Sequence, residues 1–183
     1  MARIATIQKK EDLAPEHQPI YDSIAASRGV VGGPFLGLLH SPELAQRTAH
    51  LGSYVRFESS LDHKLIELAA LATARELECK HEWNAHVNHA QKAGIPIETI
   101  RAIHQKKGLE HFSSEDAQII SYVQELLRTH RASEATFQAL YGRLGEKGLV
   151  ELTATIGYYS MVACTLNAFD LVTATGAEEF KIG

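Results

Sequence analysis

The sequence predicts an all-α protein, and three observations predict it. Apolar residues recur at steps of three and four through most of the 183 residues. Helix-starting and helix-stopping residues punctuate those runs. No run alternates with period two over a useful length, and no Asn-Gly or Asp-Gly pair sits between β-branched segments as a hairpin would require.

Pro15 opens a periodic segment to about Arg28, carried by Ile20, Tyr21, Ile24 and Ala25, and Gly29 with Gly32-Gly33-Pro34 stops it in a glycine loop. Ser41-Pro42-Glu43 supplies a capping hydroxyl, a proline at the first helical position and an early acid, so a helix is expected to about Phe57. Ser60 or Asp62 can cap the next, which runs through Leu65, Leu68 and Leu71 toward Leu77 with Glu67 inside it. A helix over 79–93 ends at Gly94, and Pro96 starts a short one through Ile100 and Ile103. Ser113 caps a helix through Ile119, Val123 and Leu127, and Ser133 caps another through Phe137, Leu140 and Leu144. The last spans about 149–169. Within it Leu149-Val150-Glu151-Leu152-Thr153-Ala154 echoes Leu65-Ile66-Glu67-Leu68-Ala69-Ala70, which leaves open a repeated helical hairpin or mere similarity of composition.

The length suits one domain with one sizeable core. A formal charge of −4 without clustered Lys and Arg argues against nucleic acid as a partner. Residues 1–6 lack the apolar core of a signal peptide, so a cytoplasmic location is expected. The apolar stretch 149–172 is interrupted by Glu151, Asn167 and Asp170 and reads as a buried helix, with no membrane partner. Cys79 and Cys164 are expected to be free thiols.

Reactive side chains concentrate in Glu78-Cys79-Lys80-His81-Glu82-Trp83-Asn84-Ala85-His86, with Glu67 twelve residues before Cys79. On a helix, positions 79, 82 and 86 share one face, so a thiol, a carboxylate and an imidazole would form a stripe fit for acid/base, thiol or metal chemistry. Structural readings compete with each. Cys79 can be a small buried hydrophobe and His86 a core histidine. Glu67 can form an ion pair with Arg75 or Lys64. Glu82, His86 and His89 have the i, i+4, i+7 spacing of metal ligands as well as of an ordinary helix face. His81 lies about 200° from Cys79 and joins the site only if the helix begins after it. Trp83 and Tyr158-Tyr159 read as core or pocket lining.

Glu67, Cys79, His81, Glu82, Trp83 and His86, followed by Ala90-x-x-Ala93-Gly94-Ile95-Pro96, resemble the carboxymuconolactone decarboxylase and alkylhydroperoxidase D superfamily over about residues 40–170. The resemblance implies a compact domain of eight or nine helices, with residues 1–40 as a helical extension on a 41–170 core. In the alkylhydroperoxidase branch two thiols form Cys-x-x-Cys; here Glu82 replaces the second, so a disulfide relay at this motif is lost. The Glu-Trp-x-x-His form looks more like the decarboxylase branch. It implies a cofactor-free lyase acting on a small carboxylated lactone or related aromatic-degradation intermediate. His86 would then be the general acid/base, Glu67 its orienting charge and Glu82 a neighbour of the departing carboxylate, with Cys79 as a participant and Trp83 and His81 at the substrate. Homo-oligomers, trimers or hexamers, are also implied. Two alternatives stay open: a peroxidase using Cys79 as a single peroxidatic thiol, and a helical oligomer without catalysis.

Overall fold

The computed structural model describes residues 2–171 and Phe180. Eight α-helices and no strand occur among the described residues. In chain order they are α1 (Gln18–Arg28), α2 (Phe35–Leu38), α3 (Pro42–Ser53), α4 (His63–Glu76), α5 (Lys80–Lys92), α6 (Ile97–His104), α7 (Ser114–Thr129) and α8 (Glu134–Phe169).

α4 is the axis of the fold, and the reason is compositional. Every residue from Leu65 to Ala74 is buried, so the helix has no solvent face and needs neighbours all round. It gets them from α5, α7 and α8, which pack about it. Leu68, Leu71, Ile100, Ile119, Val123 and Leu152 fill the shared core, each contributing about 1.5–3 kcal/mol by leaving water. A smaller cluster gathers Ile24, Val31, Phe35, Leu39, Ala45 and Ala49, so α1, α2 and α3 form a layer of their own against the main bundle.

The capping signals act as their chemistry dictates. Asp62 accepts the Lys64 N–H (2.7 Å), Ser113 that of Asp116 (3.1 Å) and Ser133 that of Thr136 (3.3 Å). Ser41 precedes its helix but makes no side-chain cap bond.

Three local departures from the expected elements shape the site. The glycine loop contains a turn of helix, α2, because Gly33 (φ 55°) and Pro34 bend the chain back so that Leu38 N–H reaches the Pro34 carbonyl. The helix expected to reach Phe57 stops being α-helical at Ser53 and widens into a π turn, Tyr54–Glu58. The buried Glu151 holds that turn: it accepts from Tyr54 Oη (2.6 Å) and from the Ser60 N–H (2.8 Å) and hydroxyl (2.5 Å). The two C-terminal helices expected on either side of residue 145 run on as one kinked element, α8, with Gly145 at φ 66°, ψ −178° as the corner. The two echoing acids, Glu67 and Glu151, are both buried inside apolar helices, yet only Glu151 braces the backbone in this way.

By length and composition alone α8 could cross a membrane. Leu149, Leu152, Ile156, Tyr159, Val162 and Leu166 instead lie inside the fold.

Candidate functional site

The site begins at the α4–α5 hairpin. Leu77 ends α4, Glu78 takes a left-handed turn (φ 53°), and Cys79 precedes the first residue of α5. Asn and Gly are the usual residues for such a turn. Here the Glu78 carboxylate is held by Arg75 (2.7 Å) and Lys106. The reversal lays α5 along α4 and sets His86 opposite Glu67.

His86 Nδ1 lies 2.7 Å from Glu67 Oε2, and the two side chains are 8% and 1% exposed. On the other side of the ring, Nε2 faces Glu82 Oε2 at 3.6 Å. The imidazole is therefore flanked by two carboxylates. Burial opposes charge on His86, but the hydrogen bonds to Glu67 and Glu82 outweigh it and hold the pKa up at about 9. Burial likewise favours the neutral form of Glu67, and the His86 hydrogen bond overrides it, so the carboxyl sits below its ordinary range. The pair is an imidazolium and a carboxylate at neutral pH. Tyr159 closes over it, its ring edge-on to His86 at 4.8 Å.

Other partners considered for Glu67 are engaged elsewhere. Arg75 binds Glu78 and the His104 carbonyl, and Lys64 pairs with Asp116 at 3.0 Å. His63 stands 3.9 Å from the second Glu67 oxygen.

A cavity of about 440 Å³, within the range of small-molecule sites, opens beside this pair. Glu82, His86 and His89 contribute its α5 wall, and Tyr158 and Tyr159 its α8 wall. His81 also lines it, although the helix begins before that residue, at Lys80. The cavity reaches round the first turn of α5 because the 29–34 loop closes over it. A Cβ on Gly33 would lie 2.9 Å from His81 Nε2 and push that ring aside, and the positive φ favours glycine there in any case. Burial lowers the His81 pKa and favours the neutral ring.

Cys79 leaves the stripe on which helical spacing puts it. It is the N-cap, with extended torsions (φ −89°, ψ 91°), so its side chain does not continue the helical phase. It is fully buried in the core and is not among the residues lining the cavity. Burial pushes its thiol up to about 11, against the opposing pull of the Glu82 and His81 backbone N–H groups. Cys164, by contrast, is exposed. A disulfide-exchange reagent at pH 7.5 is expected to titrate one thiol rapidly in the native protein and the second only on unfolding; two fast thiols would contradict this placement.

Trp83 also points inward. One step on from Glu82, it turns into the core, with its ring 5.8 Å from those of His104 and Phe180, and it is absent from the cavity wall. Among the described residues no group of three or more His, Cys, Asp or Glu is placed to hold a metal ion. His89, whose spacing suggested it, has its ring 6.0 Å from that of His86, whose own nitrogens face Glu67 and Glu82.

Two further lining residues were not among the candidates read from the sequence. Arg28, the last residue of α1, and Arg56, in the π turn, both line the cavity. Each has a buried Nε without a protein hydrogen-bond partner, and so has the Tyr159 hydroxyl. Leaving such a group unpaired costs about 1–3 kcal/mol. Each arginine sits at the end of a periodic helical run but not at one of its apolar positions, so spacing did not point either side chain inward.

The carboxymuconolactone decarboxylase family model matches residues 42–108, the span of α3 to α6 that holds Glu67, Glu82 and His86. The resemblance to that superfamily is real. No curated protein matches the sequence. Solved structures share the fold, two of them as follows. One, from Ralstonia eutropha JMP134, is described as an alkylhydroperoxidase AhpD core and uncharacterized peroxidase-related protein, with a TM-score of 0.75 at 14% identity over 98% of each chain. The other, an uncharacterized peroxidase-related protein from Silicibacter sp. TM1040, has a TM-score of 0.75 at 12% identity, covering 98% of this chain and 96% of that one. At such identities the likeness speaks for the fold alone. It extends over the N-terminal layer as well as the matched segment.

Proposed function

We propose that the protein is a cofactor-free carboxy-lyase acting on a small unsaturated lactone acid or a related intermediate, with His86 as the proton donor. The observation that carries this is the His86 imidazole at the cavity wall, anchored through Nδ1 by Glu67 and presenting Nε2 beside Glu82.

Decarboxylation breaks a carbon–carbon bond and leaves its electron pair on the substrate, where a conjugated carbonyl can delocalise it. Carbon dioxide departs, and the remaining carbanion needs one proton. His86 supplies it from Nε2 and is recharged from solvent, so the sum is substrate carboxylate plus a proton giving product and carbon dioxide. A pKa of about 9 keeps the donor charged at neutral pH. Glu82 does two things: it stabilises the imidazolium, and it places negative charge near the group that must lose charge as it leaves. The tyrosine pair supplies an aromatic wall for the conjugated system.

A single-thiol peroxidase is the second reading, favoured by the peroxidase-related descriptions of the two solved structures. Its nucleophile would be Cys79, whose burial and raised pKa work against it. One assay pair separates the two. Carbon dioxide release from unsaturated lactone acids is expected in wild type and unchanged in Cys79→Ser. Peroxide consumption with a thiol reductant, abolished by Cys79→Ser, would replace the lyase reading.

The proposal includes self-association. Phe57 and Val150 are 67% and 69% exposed, more than large apolar side chains usually are, and a homo-oligomeric contact would cover them.

A further inference from the structure

We infer that Arg28 and Arg56 form an oxyanion-binding pair in the cavity that His86 lines, and that they select a substrate by an acidic group retained through the reaction. The inference rests on the reading of this cavity as the substrate site, but not on the identity of the reaction.

The two arginines arrive from separate elements, the end of α1 and the π turn after α3, and meet at one cavity. Each is held by its flat face and keeps hydrogen-bonding capacity in reserve. The Arg28 guanidinium lies 4.4 Å above the Phe35 ring centre, and one terminal nitrogen donates to Tyr158 Oη (3.2 Å) and the Ala49 carbonyl (3.5 Å). The Arg56 guanidinium lies 4.9 Å above the Phe57 ring. Neither pairs with a carboxylate of the protein within 4 Å among the described residues. Both Nε atoms lack a protein partner, as does the hydroxyl of Tyr159, a residue 2% exposed that lines the same cavity. Three residues that each keep an unpaired buried donor thus line one cavity, and an oxyanion is the ligand that only accepts.

Charge points the same way. Glu67 is already paired with His86, which leaves Glu82 as the remaining carboxylate of the cavity wall beside two arginines, a surplus of cationic groups that favours an anionic ligand. Position then assigns roles. A carboxylate gripped by two guanidinium groups is stabilised against losing its charge, so the gripped group is not the one that leaves. It anchors the substrate while a second group faces Glu82 and His86. The π turn acquires a purpose here as well: the bonds from Tyr54 and Ser60 to Glu151 fix the backbone on either side of Arg56.

Calorimetric titration of the full chain with benzoate, inorganic phosphate and benzamide tests the pair. Benzamide has the shape of benzoate without its charge, and phosphate separates a tetrahedral anion from a planar one. The expected result is saturable binding of benzoate or phosphate, at least tenfold weaker binding of benzamide, and a further loss of at least tenfold in Arg56→Gln. Arg28→Lys covers the case in which Arg56→Gln fails to fold, because it keeps the charge and removes the planar fork. Shifts of the His86 ring proton signals on titration place the anion in this cavity. Equal binding of benzoate and benzamide, anion binding unaffected by either substitution, or no binding of either anion would overturn the inference. His86→Gln should still bind the anion, so loss of the proposed lyase chemistry and loss of the anion site read out separately.

Discussion

Replacing His86 by glutamine is expected to lower carbon dioxide release from an unsaturated lactone acid by about 10²- to 10⁴-fold with little change in KM, the usual worth of a positioned proton donor. Glutamine fills a similar volume and can donate one hydrogen bond to Glu67, so the cavity and the buried carboxylate keep a partner. What is removed is the transferable proton. The wild-type rate should follow the imidazolium. With the His86 pKa raised to about 9, kcat holds through neutral pH and falls as pH rises through that value. A general base would show the opposite limb, rising toward pH 9. Stopped-time carbon dioxide assays from pH 6 to 10 on both proteins distinguish these outcomes. Unchanged turnover in His86→Gln would remove the histidine from the mechanism.

Glu67→Leu should be the most destabilising single change at the site, about 3–5 kcal/mol by urea unfolding at pH 6, because it strands a buried imidazolium without its anchor. His86 then has reason to lose its proton, and its pKa should drop well below 9, visible as a shifted ring titration by NMR. Glu67→Gln should cost less, since the amide oxygen still accepts from Nδ1.

The same pair gives wild-type stability a two-sided pH dependence. His86 is raised in the folded state, so its contribution is complete below the ordinary 6.5 and is lost as pH climbs through about 9. Glu67 is lowered, so its contribution is complete above the ordinary 4.5 and is lost as pH falls through its depressed folded value. Unfolding free energy measured across this range should show both flanks in wild type, with the alkaline flank flattened in Glu67→Leu. An alkaline flank of equal height in both proteins would mean that another group is responsible.

Much of the fold was legible because helices announce themselves locally. A cap such as Asp62, Ser113 or Ser133 acts within three residues of itself, and the long apolar run of α4, broken by Glu67, reads as a buried helix wherever its neighbours lie. Local signals failed where geometry depended on contacts distant in sequence. The π turn at Tyr54–Glu58 is held by Glu151, about a hundred residues on. The helix α2 sits where glycine and proline argued for a loop.

The site divides along the same line. Sequence by itself determined the all-α class, the stripe that carries Glu82 and His86 on one helix, and the place of Glu67 inside the helix before it, since each follows from spacing along a single helix. Only the tertiary structure decided which of the candidates are usable. It sent Cys79 and Trp83 into the core and engaged Arg75 and Lys64 elsewhere. It also brought Arg28, Arg56 and Tyr159 to the cavity from three other parts of the chain. Phase along a helix is a local property, but solvent access and charge partners are set by what packs against it.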